Sequence, residues 1–205
     1  MTTMATSSDP KIILIGLNRC GTTSLHRLFE GSGIPSLHWR DRNDRNLAQT
    51  MMANIALGMA PLAGFGDTRA FSDLSFVSRD VVIEGARFFP MLHRAYPDAY
   101  FILNTRPKDN WLASRKRHAG GSYMARYMAA TKVPAEACEA EWSTQFDTHH
   151  ADARAYFRGN PNFIEFDIER DAPQCLADLL TPDFTISPEL WGQHNAGGPK
   201  RAATA

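Results

Sequence analysis

The chain has no apolar run near the ~20 residues that a bilayer-spanning helix needs, no internal repeat and no low-complexity segment. A membrane partner therefore has no support in the sequence. Charge of one sign is also missing: Lys plus Arg equals Asp plus Glu, at 22 each. No global field favours nucleic acid, so any anion site must be local. Cysteine is scarce. Cys20, Cys138 and Cys175 are odd in number and lack metal-ligand spacing. They read as reduced thiols of a cytoplasmic protein. The opening MTTMATSSDP, residues 1–10, lacks the apolar centre of a signal peptide and reads as a loose tail. Residues 196–205 read the same way. Residues 11–195 then read as one domain, since 205 residues with 43% hydrophobic content suffice for a substantial core.

One further absence is local. In Lys11 to Gly33, KIILIGLNRCGTTSLHRLFEGSG, an apolar run ends at Gly16, a short loop leads to Gly21-Thr22-Thr23, and Leu25, Leu28 and Phe29 follow at helical spacing. Strand, glycine-bounded loop and helix in that order aim backbone N–H groups and a positive helix end at an anion, usually a phosphate. The triphosphate-binding pattern G-x-x-x-x-G-K-[ST] is met at Gly16 and Gly21, but Thr22 stands where its lysine belongs. Ordinary kinase or NTPase chemistry is disfavoured without that lysine. Arg19 offers a cation from another direction, and Thr22 and Thr23 add hydroxyl donors. The dinucleotide pattern G-x-G-x-x-G is absent. A tight turn without ligand is the plain alternative.

The remaining chain alternates strands and helices. Strands are expected at 11–16, 34–38, 70–73, 99–105 and 162–166. Helices are expected at 22–31, 46–58, 88–96 (with Phe88, Met91, Leu92 and Ala95 on one face), 107–118, within 122–157 and at 172–180. The run AYFILNT, Ala99 to Thr105, is nearly all apolar, as in a strand buried on both faces of a parallel sheet. The class is α/β, a three-layer sandwich around a central parallel sheet. Ligands of such sheets bind beyond the carboxyl ends of the strands. Gly16 to Thr23, His38, Asp73 and Arg106 all fall at such ends.

Arg106 closes the buried strand, and Ser114 lies eight positions later, about two helical turns on. Both side chains can face one phosphate, for which the forked guanidinium is suited. Helix capping and a surface serine are the alternative.

Together these residues resemble the sulfotransferase superfamily, whose members take a sulfonate from 3′-phosphoadenosine 5′-phosphosulfate (PAPS). The family's 5′-phosphosulfate loop is similar to Asn18-Arg19-Cys20-Gly21-Thr22-Thr23, and its 3′-phosphate motif is similar to Arg106-Pro107-Lys108-Asp109 with Ser114. The resemblance extends over about residues 11 to 195, including FSD at Phe71 to Asp73. It implies a P-loop NTPase-like fold. It also implies 5′-phosphosulfate contacts from Arg19, Cys20, Gly21, Thr22, Thr23 and Ser24, and 3′-phosphate contacts from Arg106 and Ser114. The product would be the bisphosphate PAP, and the scheme needs no metal. The chain departs from the pattern in three places: Arg19 replaces a lysine, Ser24 stands where a tryptophan often follows, and no C-terminal Arg-Lys-Gly is evident beyond Lys200-Arg201 in the tail. The adenine contacts stay unassigned.

A base must take the acceptor's proton. His38 is the first choice, as an imidazole at the expected active edge. Asp73 follows, as base or as orienter of His38, with Glu84 third and better suited to a structural role. His149-His150, with Asp147 and Asp152 nearby, suggests a metal, but no constellation completes it and a solvated helix face is expected. Arg115-Lys116-Arg117-His118 reads as a basic helix end beside the nucleotide site or as plain solvated charge. Cys20 reads as a small loop residue. The acceptor is a small molecule, and the Met and aromatic content of residues 39–70 and 119–160 allows an apolar or aromatic one. A divergent P-loop kinase and a non-catalytic nucleotide-binding interaction protein are the competing readings.

Overall fold

A computed structural model describes residues 10–192. The expectations for the tails, including Lys200-Arg201, lie largely outside them. Five short strands, β1 (Ile12–Leu14), β2 (Ser36–His38), β3 (Ala70–Ser72), β6 (Tyr100–Thr105) and β7 (Phe163–Asp167), form one sheet in the order β2-β3-β1-β6-β7. Every pairing in it is parallel. Two further strands, β4 (Ser75–Val77) and β5 (Val82–Glu84), make a separate antiparallel hairpin. The helices are α1 (Thr22–Gly31), α2 (Leu47–Ala56), α3 (Phe89–Ala95), α4 (Lys108–Arg117), α5 (Ser122–Thr131), α6 (Ala135–Tyr156) and α7 (Gln174–Leu180).

Strand alternation divides the core into two layers. Ile12 and Leu14 pack with Leu25, Leu28 and Phe29 of α1 and with Leu176 and Leu180 of α7. Ile13 and Ile15 turn to the opposite face, toward Met51 of α2, Leu92 of α3 and Ala153 of α6. This is the expected three-layer α/β sandwich, and β6 is buried along its whole length. A third cluster, with Leu17, Cys20, Trp111, Tyr123, Tyr127 and Trp142, stands above the carboxyl edge between the first loop and α4 to α6.

Four expectations need correction. Residues 88–96 bury Phe89 and Leu92, while Met91 is exposed, because a 3₁₀ turn over Gly85–Phe88 rotates the helix that follows. Pro107 caps α4 with an extended ψ of 130° instead of opening it. Residues 122–157 form two helices, parted where Lys132 turns left-handed (φ 63°) ahead of Pro134. The hairpin β4–β5 has no counterpart among the expected strands.

Candidate functional site

All five sheet strands point their carboxyl ends one way, so the segments that follow them meet on one edge. The loop after β1 turns left-handed at Arg19 (φ 71°) and again at Gly21 (φ 74°). Such turns draw successive N–H groups toward one point, as anion-binding nests do. The first helical hydrogen bond runs from Leu25 N to Gly21 O at 3.1 Å. The N–H groups of Thr22 to Ser24 thus lie ahead of that bond, at the head of the helix. At Gly21 a Cβ would lie 2.7 Å from Ile168 Cδ1, so glycine is demanded twice, by conformation and by space.

Asn104 of β6 braces this loop. It is fully buried, its Oδ1 accepts from Gly16 N at 2.9 Å and its Nδ2 donates to Cys20 O at 2.7 Å. A Cβ on Gly16 would fall 1.9 Å from Asn104 O. Trp111 Nε1 donates to Asn18 O at 2.9 Å. Neither brace is expected from the sequence, although a lone Asn directly after the apolar run 99–103 is a visible signal. The Cys20 side chain is fully buried in the aromatic cluster, and burial pushes its thiol up to about 12. Only its backbone can face an anion, and it holds no reactive thiolate.

The first loop and the Arg106–Ser114 segment touch. Arg19 Nε donates to Ser114 Oγ at 3.2 Å, and Arg106 Nη1 donates to Arg19 O at 3.4 Å. Burial lowers the pKa of Arg19. Arg106 and Ser114 do not bond one another. Arg106 Nη2 instead pairs with Glu169, just beyond β7, whose other oxygen accepts from Asn110 Nδ2 at 2.7 Å. Nothing near Glu169 in the sequence marks it as a partner of Arg106.

On the far side of the loop stands His38, at the end of β2. Its Nδ1 lies 3.1 Å from Ser72 Oγ, and its Nε2 lies 3.2 Å from Thr23 Oγ1 and 4.0 Å from Asp73 Oδ2. The Ser72 hydroxyl donates to Leu37 O at 3.3 Å, so it can only accept from Nδ1–H. Nε2 is then the lone-pair nitrogen, and it faces the loop. Burial, with Arg19 nearby, pushes His38 down to about 4, which keeps it neutral at neutral pH. Its ring stacks on His26 with centroids 5.5 Å apart. Asp73 adopts a left-handed φ of 55°, accepts from Ser75 Oγ at 2.5 Å and is held above the usual carboxylate range by burial. Trp39, beside His38, is also left-handed at φ 60°. Strained residues clustered at one edge are typical of functional sites.

Other candidates are placed away from this edge's chemistry. Glu84 pairs with Arg115, which also donates to Tyr123 Oη at 2.8 Å. Arg115 is fully buried among Trp111, Tyr123, Tyr127 and Trp142, not a solvated helix end. His149 and His150 are likewise buried, not on a solvated face. His149 Nε2 lies 2.6 Å from Ile15 O, while His150 lies 2.8 Å from Thr105 Oγ1 and 2.7 Å from Phe146 O. They tie α6 to the sheet. Ser24 is buried near the head of α1.

The fold is an α/β domain whose sheet edge carries a strand–loop–helix of the kind that can cradle an anion. The family model described as the sulfotransferase domain matches residues 11–177, and the chain belongs to that family. A search of curated proteins returned no match. No helix of the described residues is long and apolar enough to cross a membrane.

Proposed function

We propose that the chain is a PAPS-dependent sulfotransferase that moves a sulfonate to a hydroxyl or amine of a small-molecule acceptor by in-line displacement. The observation that carries this reading is the Arg19–Ser114 hydrogen bond, with Arg106 on the Arg19 carbonyl. It sets two anion-binding motifs side by side, as a donor with separate 5′ and 3′ phosphate groups requires. The donor supplies an activated sulfonate and a bisphosphate leaving group. Arg19 and the N–H groups of Gly21, Thr22 and Thr23 hold the 5′ end and stabilise charge on the leaving oxygen. Arg106 and Ser114 hold the 3′-phosphate, for which Arg106 must release Glu169. His38 Nε2 takes the acceptor proton, with Ser72 fixing its tautomer. Asp73 then stabilises the imidazolium that forms. The cations of this scheme are Arg19 and Arg106, so it uses no metal. Three free cysteines suit a cytoplasmic setting.

Transfer of labelled sulfonate from PAPS to a broad acceptor panel tests the proposal. Activity lost in Arg106→Ala and in His38→Ala supports it. Stabilisation by ATP with Mg²⁺ and none by PAP would overturn it in favour of a kinase.

A further inference from the structure

Two cavities border the elements around this edge, and they differ in chemistry. One, of about 530 Å³, lies among α2, β5, α5 and α6 and includes Met52, Val82, Phe88 and Tyr127. The other, of about 740 Å³, runs along β2, the edge strand of the sheet, and has His38 in its wall. Only the second reaches the imidazole that the proposed mechanism needs. From the geometry we infer that the β2 groove is the acceptor site and that it takes a neutral, hydroxyl-rich acceptor such as a saccharide. This rests on the sulfotransferase reading above.

Charge and polarity of the wall decide the class. Arg40, Arg42 and Arg45 share the lining with Glu30, Asp41 and Asp67, so the cations and anions balance. Arg45 is tied to Asp41 at 2.7 Å and Arg40 to Asp44 at 2.7 Å. A net anionic or cationic acceptor finds no surplus of opposite charge there. Pro35, Leu37 and Phe65 are its main apolar members, too few to enclose an apolar acceptor. What remains is a dense mix of donors and acceptors, which matches hydroxyl groups that both give and receive hydrogen bonds. Ser36 and His26 add to it, joined at 2.8 Å. At the inner end Thr23 Oγ1 sits on His38 Nε2, where a substrate hydroxyl would sit during transfer. That places the reacting oxygen between the groove and the phosphosulfate loop. The acceptor O–H gives its proton to Nε2, its oxygen bonds the sulfur, and the bond from sulfur to the PAP oxygen breaks, so charge balances with PAP as leaving group. The other cavity sets Met52, Val82, Ile83 and Phe88 beside Glu84, Arg87 and Glu141, and it does not hold the imidazole.

The test uses the full chain, labelled PAPS, and three acceptor sets: maltotriose and N-acetyllactosamine, 2-naphthol, and tyramine. Asn43→Trp fills the groove from a loop position whose backbone N–H, which the substitution keeps, donates to Asp41 Oδ1 at 2.9 Å. Met52→Trp fills the other cavity. The expected result is transfer to the saccharides, an acceptor KM raised at least tenfold by Asn43→Trp, no change from Met52→Trp, and PAP affinity unaltered in both. Transfer confined to naphthol or tyramine, or a KM that answers to Met52→Trp alone, overturns the inference while leaving the sulfotransferase reading intact. PAP binding with neither transfer to the saccharides nor any shift of the His26 and His38 ring resonances on adding them also overturns it. Failure to bind PAP at all would instead sink the reading beneath it.

Discussion

Glu169 should act as a stand-in anion on Arg106, and Glu169→Gln should therefore tighten binding of PAP. In the unliganded chain the guanidinium is paired with this carboxylate, and both partners are only 23% exposed. A bound 3′-phosphate must displace the carboxylate and then sit near its charge. Exposed ion pairs contribute about 0.2–1 kcal/mol, and charge-assisted hydrogen bonds about 1.5–3 kcal/mol. This pair is partly screened, so about 1.4 kcal/mol is a fair middle value, which is about tenfold in affinity. Glutamine keeps the shape and can still accept from Asn110, so the loop after β7 should hold its place. Titration calorimetry of the wild type and the variant with PAP reads the effect directly. The wild type should also gain relatively more than the variant at raised salt, as the pair is screened. Unchanged or weaker binding in Glu169→Gln would refute the competition and make Glu169 a support that aims Arg106.

Three further outcomes follow from the geometry. Arg115→Ala strands Glu84 in the hydrophobic cluster, so urea unfolding should show a loss of about 3–5 kcal/mol, and Arg115→Lys should recover only part of it because one ammonium cannot reproduce the fork. The acid limb of kcat/KM should fall near the His38 value of about 4. A limb near ~6.5, the ordinary imidazole value, would contradict the burial argument. His150 is buried and its pKa is pushed down to about 4, so its neutral form favours the folded state. That contribution is whole above the ordinary imidazole pKa and is lost as pH falls through the window toward the folded value. Lowering the pH from ~7 to ~5 should cost about 2 kcal/mol through His150, a slope that His150→Gln should reduce when unfolding is followed by urea at each pH.

Much of the fold was legible because it is written in local patterns. The run from Ala99 to Thr105 reads as a doubly buried strand, and Gly16 and Gly21 bound a loop between strand and helix, as the structure has them. The sequence brought the first loop and the Arg106–Ser114 segment to one sheet edge, but the bond from Arg19 to Ser114 is a tertiary contact that it did not announce. What the sequence hid depends on contacts between distant segments. Arg115 looks like part of a basic run, yet its carboxylate lies on β5 and its aromatic shell comes from three helices. His149 and His150 look polar on α6, but they answer to a carbonyl after β1 and a hydroxyl on β6. The β4–β5 hairpin is too short for alternation to announce it, and Glu169 meets Arg106 only because β7 lies beside β6. The choice of acceptor groove rests on which cavity contains His38, a matter of tertiary placement alone.

The central claim is a donor site with two anion pockets, one at Gly21 to Thr23 and one at Arg106 and Ser114. Calorimetric comparison of PAP with adenosine 5′-monophosphate, which lacks the 3′-phosphate, tests it most directly. The account predicts PAP binding at least about 100-fold tighter, since a phosphate on a guanidinium and a hydroxyl makes several charge-assisted bonds, with most of that margin lost in Arg106→Ala. Equal affinity for the two nucleotides, or a margin that survives Arg106→Ala, would contradict it.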